Sequence, residues 1–138
     1  MKKYILWLLS FTVFLLAGCE RLLVAPRAPK VQLVSHVEIS INNGTERHQV
    51  LYKDPQKITK VLNYLRRMES WDLSDREPLP EELPRYRIDL HLSDGTRKTY
   101  EQIRYDSFKE DQMPWKKISR EYALRLPLIL AIVPSDTI

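Results

Sequence analysis

The sequence predicts an α+β fold: a small antiparallel sheet of four to five strands, formed by two hairpins, with two helices packed on one face. The first observation is that Asn43-Gly44 and Asp94-Gly95 each separate two strand-like runs, a pattern typical of β-hairpins. The second is that apolar residues recur at helical spacing after the first hairpin. Hairpins mixed with amphipathic helices favour an antiparallel sheet covered by helices on one side.

Alternation along the first hairpin predicts which side chains enter the core. If Asn43-Gly44 forms a two-residue turn, Asn42 faces Thr45 and Ile39 faces His48. A slip by one position would move every apolar side chain to the opposite face, so this clean sorting supports the register. His48 is accordingly expected to be a half-buried histidine with its polar atoms satisfied. The predicted core face collects Val37, Ile39, Ile41, His48, Val50 and Tyr52.

The dipeptide Asp54-Pro55 predicts the start of a helix over about residues 55–69. Asp54 can accept hydrogen bonds from the free amides of the first turn, and Pro55 suits the first helical position. The helix is amphipathic and should lie on the apolar face of the hairpin. Its predicted buried side chains are Ile58, Val61, Leu62, Leu65 and Met68.

The second hairpin follows a proline-rich segment. Residues 73–84 include three prolines and predict an exposed loop. Alternation then resumes over residues 86–92, before Asp94-Gly95. On the returning strand Tyr100 and Ile103 differ in parity, which predicts either a bulge or one side chain that faces outward.

The C-terminal part predicts a short strand and a last helix. Residues 113–119 are expected to form an edge strand that carries Trp115. Ser119 can cap a helix that continues through Tyr122. Pro127 should kink or break that helix, because proline has no amide hydrogen to donate.

The N-terminus has the layout of a secretory signal. Lys2 and Lys3 precede an apolar stretch, residues 5–16, which is too short to cross a bilayer that needs about 20 apolar residues. Small residues then lead to Cys19, the one cysteine of the chain. This layout predicts cleavage directly before Cys19.

Leu16-Ala17-Gly18-Cys19 resembles the lipobox of bacterial lipoproteins, which signal peptidase II cleaves. The resemblance implies that Cys19 carries diacylglycerol, that its new amino group is acylated with a fatty acid such as palmitate, and that the chain is a membrane lipid-anchored protein of the cell envelope. Two or more acyl chains anchor stably, since each buried methylene contributes about 0.8 kcal/mol. The predicted organisation is a signal peptide (1–18), a lipidated cysteine with a short tether (19–30) and one globular domain (31–138).

The resemblance also bears on location. Glu20 stands where an aspartate is linked to retention in the inner membrane, so the outer membrane is implied for a double-membrane cell. In a single-membrane cell the chain would be on the outer face of the plasma membrane. The domain itself resembles small uncharacterised domains of envelope lipoproteins, in which a hairpin like Ser93-Asp94-Gly95 follows a helix like that at Asp54-Pro55.

Composition argues against nucleic acid as a partner. The chain has 22 Lys and Arg against 18 Asp and Glu, and loss of Lys2 and Lys3 with the signal leaves a net charge of +2. The basic residues are interspersed and form no clustered patch. Once Cys19 is acylated, the domain has no thiol for a disulfide, a metal or a nucleophile.

The sequence shows no pattern of a catalytic, metal or cofactor site. The three histidines, His36, His48 and His91, have no ligand spacing, and His36 and His48 project to opposite faces of the predicted hairpin. His91 is expected in an ordinary surface ladder with neighbouring strand residues. Three glycines are too few for a phosphate loop, and no nucleophile elbow occurs. We therefore expect no enzyme activity, no metal and no cofactor.

Binding is the function that these exclusions leave. Several aromatic residues and a methionine lie in or beside loops, and such residues are enriched at interaction hot spots. The sequence predicts an extracytoplasmic binding or accessory module for an envelope protein or a wall polymer. The alternatives are a wall-peptide hydrolase or inhibitor-like factor, and a purely structural lipoprotein. The candidate partner-binding residues are Trp71, Phe108, Tyr105 and Met113.

Overall fold

The computed structural model describes residues 28–73, 77–79 and 81–136. These residues form one antiparallel sheet of seven strands with helices, which confirms the α+β class and shows that four to five strands were too few. After a 3-10 turn at Val31–Leu33, the elements are β1 (Val34–Asn42), β2 (Arg47–Tyr52), α1 (Pro55–Arg66), β3 (Ser70–Asp72), β4 (Arg85–Leu92), β5 (Arg97–Ile103), β6 (Ser107–Glu110), β7 (Lys116–Ile118), α2 (Arg120–Ala123) and α3 (Arg125–Ile132). None of the helices in this described part is long and apolar enough to span a membrane.

The strand order is β2-β1-β4-β5-β6-β7-β3, and every neighbouring pair is antiparallel. Strands β2 and β3 are the two edges, although only α1 separates them in the chain. Helix α1 therefore carries the chain from one edge of the sheet to the other. Its apolar side packs with the inward-facing residues of β1, β2, β4 and β5 in one core.

The first hairpin has the predicted faces but a different register. Ile39 pairs with Val50, two positions further than the predicted partner His48. The connection spans residues 43–46, because the Asn43 side chain accepts a hydrogen bond from the Glu46 amide at 2.8 Å and widens the turn. A shift of two positions keeps every side chain on its face. Val37, Ile39 and Tyr52 are buried as predicted.

Helix α1 confirms the helix that Asp54-Pro55 predicted, although it ends at Arg66. The Asp54 side chain accepts a hydrogen bond from the Gln56 amide at 3.1 Å, as expected of an N-cap residue. All five apolar side chains that the helical spacing selected are buried, and so is Tyr64, which the pattern did not select.

The second hairpin closes at the predicted Asp94-Gly95. Gly95 has a positive φ of 90°, a conformation that glycine adopts without steric cost. The β4–β5 register is continuous from Arg85 to His91, so the strand has no bulge. Tyr100 faces the core. Ile103 lies on the opposite face and is nevertheless fully buried.

Strand β6 was not predicted, because the turn before it has no sequence signal. The chain reverses through Arg104 and Tyr105, whose φ angles are 63° and 62°. Such turns usually contain Asn or Gly, and residues with other side chains seldom adopt positive φ. Tyr105 is held by its contact with the ring of Tyr86, 6.3 Å between centroids.

The C-terminal part confirms a strand and a capped helix, with two corrections. Strand β7 lies between β6 and β3, so it is not an edge strand, and Trp115 precedes it. The Ser119 side chain accepts a hydrogen bond from the Tyr122 amide at 3.5 Å. The helix is interrupted at Leu124, which places Pro127 in the first turn of α3, where an amide hydrogen is not required.

A short polar network ties the helices to the sheet inside the core. Gln102 of β5 is 1% exposed. Its amide oxygen accepts a hydrogen bond from the Tyr64 hydroxyl of α1, and its amide nitrogen donates to the Ala123 carbonyl of α2 at 3.2 Å. The Tyr122 hydroxyl in turn donates to the Tyr64 carbonyl. Burial raises the pKa of the Tyr64 hydroxyl, which therefore remains a donor.

Both ends of the described chain pack against the domain. Ala28 contacts the core, and Arg66 donates to the Pro29 carbonyl at 2.5 Å, so the fold extends into the predicted tether. At the other end, the Asp136 carboxylate accepts hydrogen bonds from the amides of Lys53 at 2.7 Å and Asp54 at 3.0 Å, and from the Lys57 ammonium.

This carboxylate predicts a pH dependence of stability. The Lys57 ammonium, followed by the two backbone amides, lowers the pKa of Asp136 to about 2 from its ordinary 3.8. A lowered folded-state pKa contributes stability above pH 3.8 that is lost as the pH falls toward 2. The Asp136→Asn variant should therefore melt below the wild type at pH 7, and the gap should close between pH 4 and pH 2, as measured by circular dichroism.

The exposed Glu69 provides the control for this pH dependence. We expect Glu69→Gln to change the melting temperature little at any pH. A gap between wild type and Asp136→Asn that stays constant from pH 7 to pH 2 would show that the ionised carboxylate is not what holds the C-terminal segment.

Candidate functional site

The helices cover one face of the sheet and leave the other face open. Alternation places polar side chains on the open face of β1, β4 and β5, and most of them are exposed or half-buried. Three features stand out on the molecular surface: a histidine–glutamate cluster and an arginine groove on the open face, and an aromatic groove at the β3 edge.

The histidine–glutamate cluster consists of His36, Glu38 and His91. His36 and His91 are directly opposite each other on β1 and β4, and their rings stack with 4.2 Å between centroids. The Glu38 carboxylate lies 3.6 Å from His36 Nε2 and 3.7 Å from His91 Nε2. These three ligand-type atoms all lie within 4.8 Å of one another.

The sequence did not predict that these three residues lie close together. The alternation of β1 does place His36 and Glu38 on one face, but His91 lies on a strand whose pairing with β1 has no local signal. His48, which was expected to be half-buried, is exposed and pairs with Glu46 at 2.9 Å instead. It lies near the end of the hairpin, beyond the part that the helices cover.

The arginine groove is at one end of the open face. Its volume is about 530 Å³, and its basic residues come from β2 and β4. Arg87 is committed to Asp89, with 3.3 Å between Nε and a carboxylate oxygen. The groove is lined by Ser40, Ile41, Asn42, Arg47, His48, Gln49, Arg85, Arg87 and Glu101.

The aromatic groove is at the β3 edge. Trp71 is 49% exposed on this last strand of the sheet, and the groove beside it has a volume of about 370 Å³. Tyr122 forms another wall, with the Arg125 guanidinium 5.0 Å from the centre of its ring. The lining residues are Arg67, Glu69, Trp71, Ser119, Glu121, Tyr122 and Arg125. Two arginines and two glutamates make this groove balanced in charge.

An exposed apolar stripe continues from this groove along the C-terminal helix. Leu124, Leu128 and Ile132 are 42%, 60% and 73% exposed and follow one another at intervals of four residues, so they share one side of the helix. Leu128 lies three positions after Arg125, which lines the groove. Contiguous exposed apolar residues are typical of interaction sites. We call the aromatic groove and this stripe together the edge surface.

The predicted partner-binding residues do not form one patch. Trp71 is part of the edge surface, and Met113 is 58% exposed in the turn between β6 and β7. Tyr105 is half-buried against Tyr86. Phe108 is 3% exposed and stacks on Tyr100 with 5.9 Å between centroids, so its assignment to a binding surface was wrong. Cys19 lies outside the described residues.

No family model, curated protein or solved structure matches this chain. The class of the protein is therefore that of its fold, an α+β domain with a seven-stranded antiparallel sheet.

Proposed function

We propose that this chain is a lipid-anchored protein of the cell envelope that binds another envelope protein through the edge surface. The observation that carries the proposal is Trp71, half exposed on an edge strand beside an aromatic groove. Large aromatic residues next to a pocket are the side chains that dominate interface energies. The lipobox resemblance at Cys19 supports the location.

The chemistry of the edge surface favours a protein over a wall polymer. Its charges are balanced between Arg67, Arg125, Glu69 and Glu121, so it does not select a uniformly charged polymer. The apolar stripe suits the apolar side chains of a protein partner. Strand β3 is an edge strand, and an extended segment of a partner can pair with such an edge.

Photo-crosslinking in living cells tests this proposal. A benzophenone amino acid replaces Trp71 in one strain and Leu128 in another, and captured proteins are identified by mass spectrometry. We expect both positions to capture the same single protein. The matched control is Gln49, which is exposed on β2 at the other edge of the sheet and should not capture that protein.

The other outcomes decide against an envelope protein as partner. Capture of wall fragments at both positions would move the assignment to a wall polymer. Crosslinks only to a second copy of the chain would favour a purely structural role. Equal capture at Gln49 would show that the edge surface is not selective. Phe108 is unsuitable as a crosslinking position because it is buried.

A further inference from the structure

We propose that His36, Glu38 and His91 form a binding site for a divalent transition metal, zinc by its ligand chemistry, on the open face of the sheet. Two imidazoles and one carboxylate are a ligand set that Zn²⁺ accepts in sites with three protein ligands and an open position. This site is separate from the edge surface and does not depend on the proposed function.

The distances suit a shared ion better than direct hydrogen bonds. Glu38 Oε1 lies 3.6 Å from His36 Nε2 and 3.7 Å from His91 Nε2, beyond normal hydrogen-bond length. Zinc lies about 2.0–2.2 Å from nitrogen and oxygen ligands, so neighbouring ligands of a tetrahedral ion are about 3.3–3.5 Å apart. Glu38 Oε1 needs to approach each nitrogen by only a few tenths of an ångström, and all three ligand atoms lie within 4.8 Å of one another, within the range of side-chain rotations.

A hydroxyl beside the cluster sets the tautomer of His36. Ser35 Oγ donates its one hydrogen to the His91 carbonyl at 3.0 Å. The same oxygen lies 3.0 Å from His36 Nδ1, and while its own hydrogen is on the carbonyl it accepts the hydrogen of that nitrogen. His36 therefore presents an unprotonated Nε2 to Glu38. Metal-binding histidines are typically oriented in this way by a bond from the other ring nitrogen.

The second imidazole provides an independent observation. His91 Nε2 is shielded from solvent and makes no hydrogen bond with any of the described residues. A buried polar atom without a partner costs free energy. A metal ion would satisfy this nitrogen and would separate the His36 lone pair from the Glu38 carboxylate.

The neighbouring charges leave the cluster open to a cation. Asp89 lies opposite Glu38 on the neighbouring strand. Its carboxylate accepts a hydrogen bond from the Thr99 hydroxyl at 2.7 Å and forms an ion pair with Arg87. It contributes negative charge nearby without being free to move. Arg97 pairs with His91 on the far side of β4 and is exposed, where solvent screens its charge. The Glu38 side chain is 51% exposed, so a bound ion would keep positions for water.

Zinc titration of the full chain tests the site. The protein is prepared without a histidine tag and with Cys19→Ser in every sample, so that no thiolate competes. Zn²⁺ is added in competition with a chromophoric chelator, and we expect saturable binding of one ion per chain. His36→Gln and His91→Gln should each raise the Kd by about 100-fold or more, and Ser35→Ala by about tenfold.

The third histidine is the matched control. His48→Gln should bind zinc like the wild type, because His48 is exposed near the end of the first hairpin, away from the cluster, and pairs with Glu46. Glu38→Gln alters a half-exposed side chain, so it keeps the fold and should still weaken binding about tenfold or more. In NMR spectra, zinc should shift the imidazole signals of His36 and His91 and leave that of His48 unchanged.

Two results would overturn the proposal. One is the absence of saturable zinc binding by the wild type. The other is binding that Glu38→Gln leaves unchanged or that His48→Gln weakens as much as His91→Gln does.

Discussion

Gln102→Leu should lower the free energy of unfolding by about 2–4 kcal/mol, a large part of the about 5–15 kcal/mol that stabilises a typical domain. Leucine has a similar volume but cannot accept from the Tyr64 hydroxyl or donate to the Ala123 carbonyl. Both groups would remain buried without their partner, at about 1–3 kcal/mol each. Urea unfolding monitored by tryptophan fluorescence measures the change. The slope of the free energy of unfolding against urea concentration should stay unchanged.

A double-mutant cycle separates the hydrogen bond from the packing. Tyr64→Phe alone leaves the Gln102 amide oxygen without its donor and should cost about 1–2 kcal/mol. The double variant removes both partners, so its cost should be smaller than the sum of the single costs by about 1 kcal/mol or more. The exposed Gln112 is the control, and Gln112→Leu should change stability by less than about 0.5 kcal/mol. Additive costs at Tyr64 and Gln102 would contradict a direct bond.

The network explains how the sheet holds helices α1 and α2 in one arrangement. Apolar contacts alone tolerate sliding, whereas Gln102 fixes α1 and α2 at defined points above β5. Buried polar groups of this kind specify one packing because any other leaves them unsatisfied. Nothing in the sequence marks Gln102, because a glutamine between Glu101 and Ile103 reads as an ordinary surface residue.

The elements that could be predicted are those with strong local signals. Asn43-Gly44, Asp94-Gly95 and Asp54-Pro55 mark two turns and one helix start, and all three lie where they were predicted, although the first turn has four residues instead of two. Strands β3 and β6, three and four residues long, were missed because no turn signal in the sequence marks them. The turn before β6 uses Arg104 and Tyr105 at positive φ, where sequence rules expect glycine or asparagine.

The candidate sites show the same division between local and distant contacts. The exposure of Trp71 was expected from its place beside a loop, whereas Phe108 has the same kind of local surroundings and is buried by strand pairing. The histidine–glutamate cluster depends on β1 lying beside β4, a pairing that joins distant parts of the chain. Strand order of this kind is set by the packing of the whole core and has no short-range pattern.

Cys19→Ser should move the protein out of the membrane fraction. Each acyl methylene contributes about 0.8 kcal/mol to membrane binding, and a single chain of about 14 carbons binds only with about 10⁴ M⁻¹. Stable anchoring therefore needs more than one acyl chain. The proposed lipidation at Cys19 would supply all of these acyl chains. With no acyl acceptor at position 19, the chain should lose the proposed lipid attachment.

Two measurements check this expectation together. Fractionation follows where the protein is, and incorporation of an alkyne-labelled palmitate analogue follows whether it is acylated. The control is Glu20→Gln, which keeps the thiol next to the cleavage position and should retain both the label and the membrane fraction. A labelled Cys19→Ser chain would place the acyl group elsewhere. An unlabelled wild type that still fractionates with membranes would mean that residues 5–16 hold the chain in the bilayer, which their length disfavours because a spanning helix needs about 20 residues.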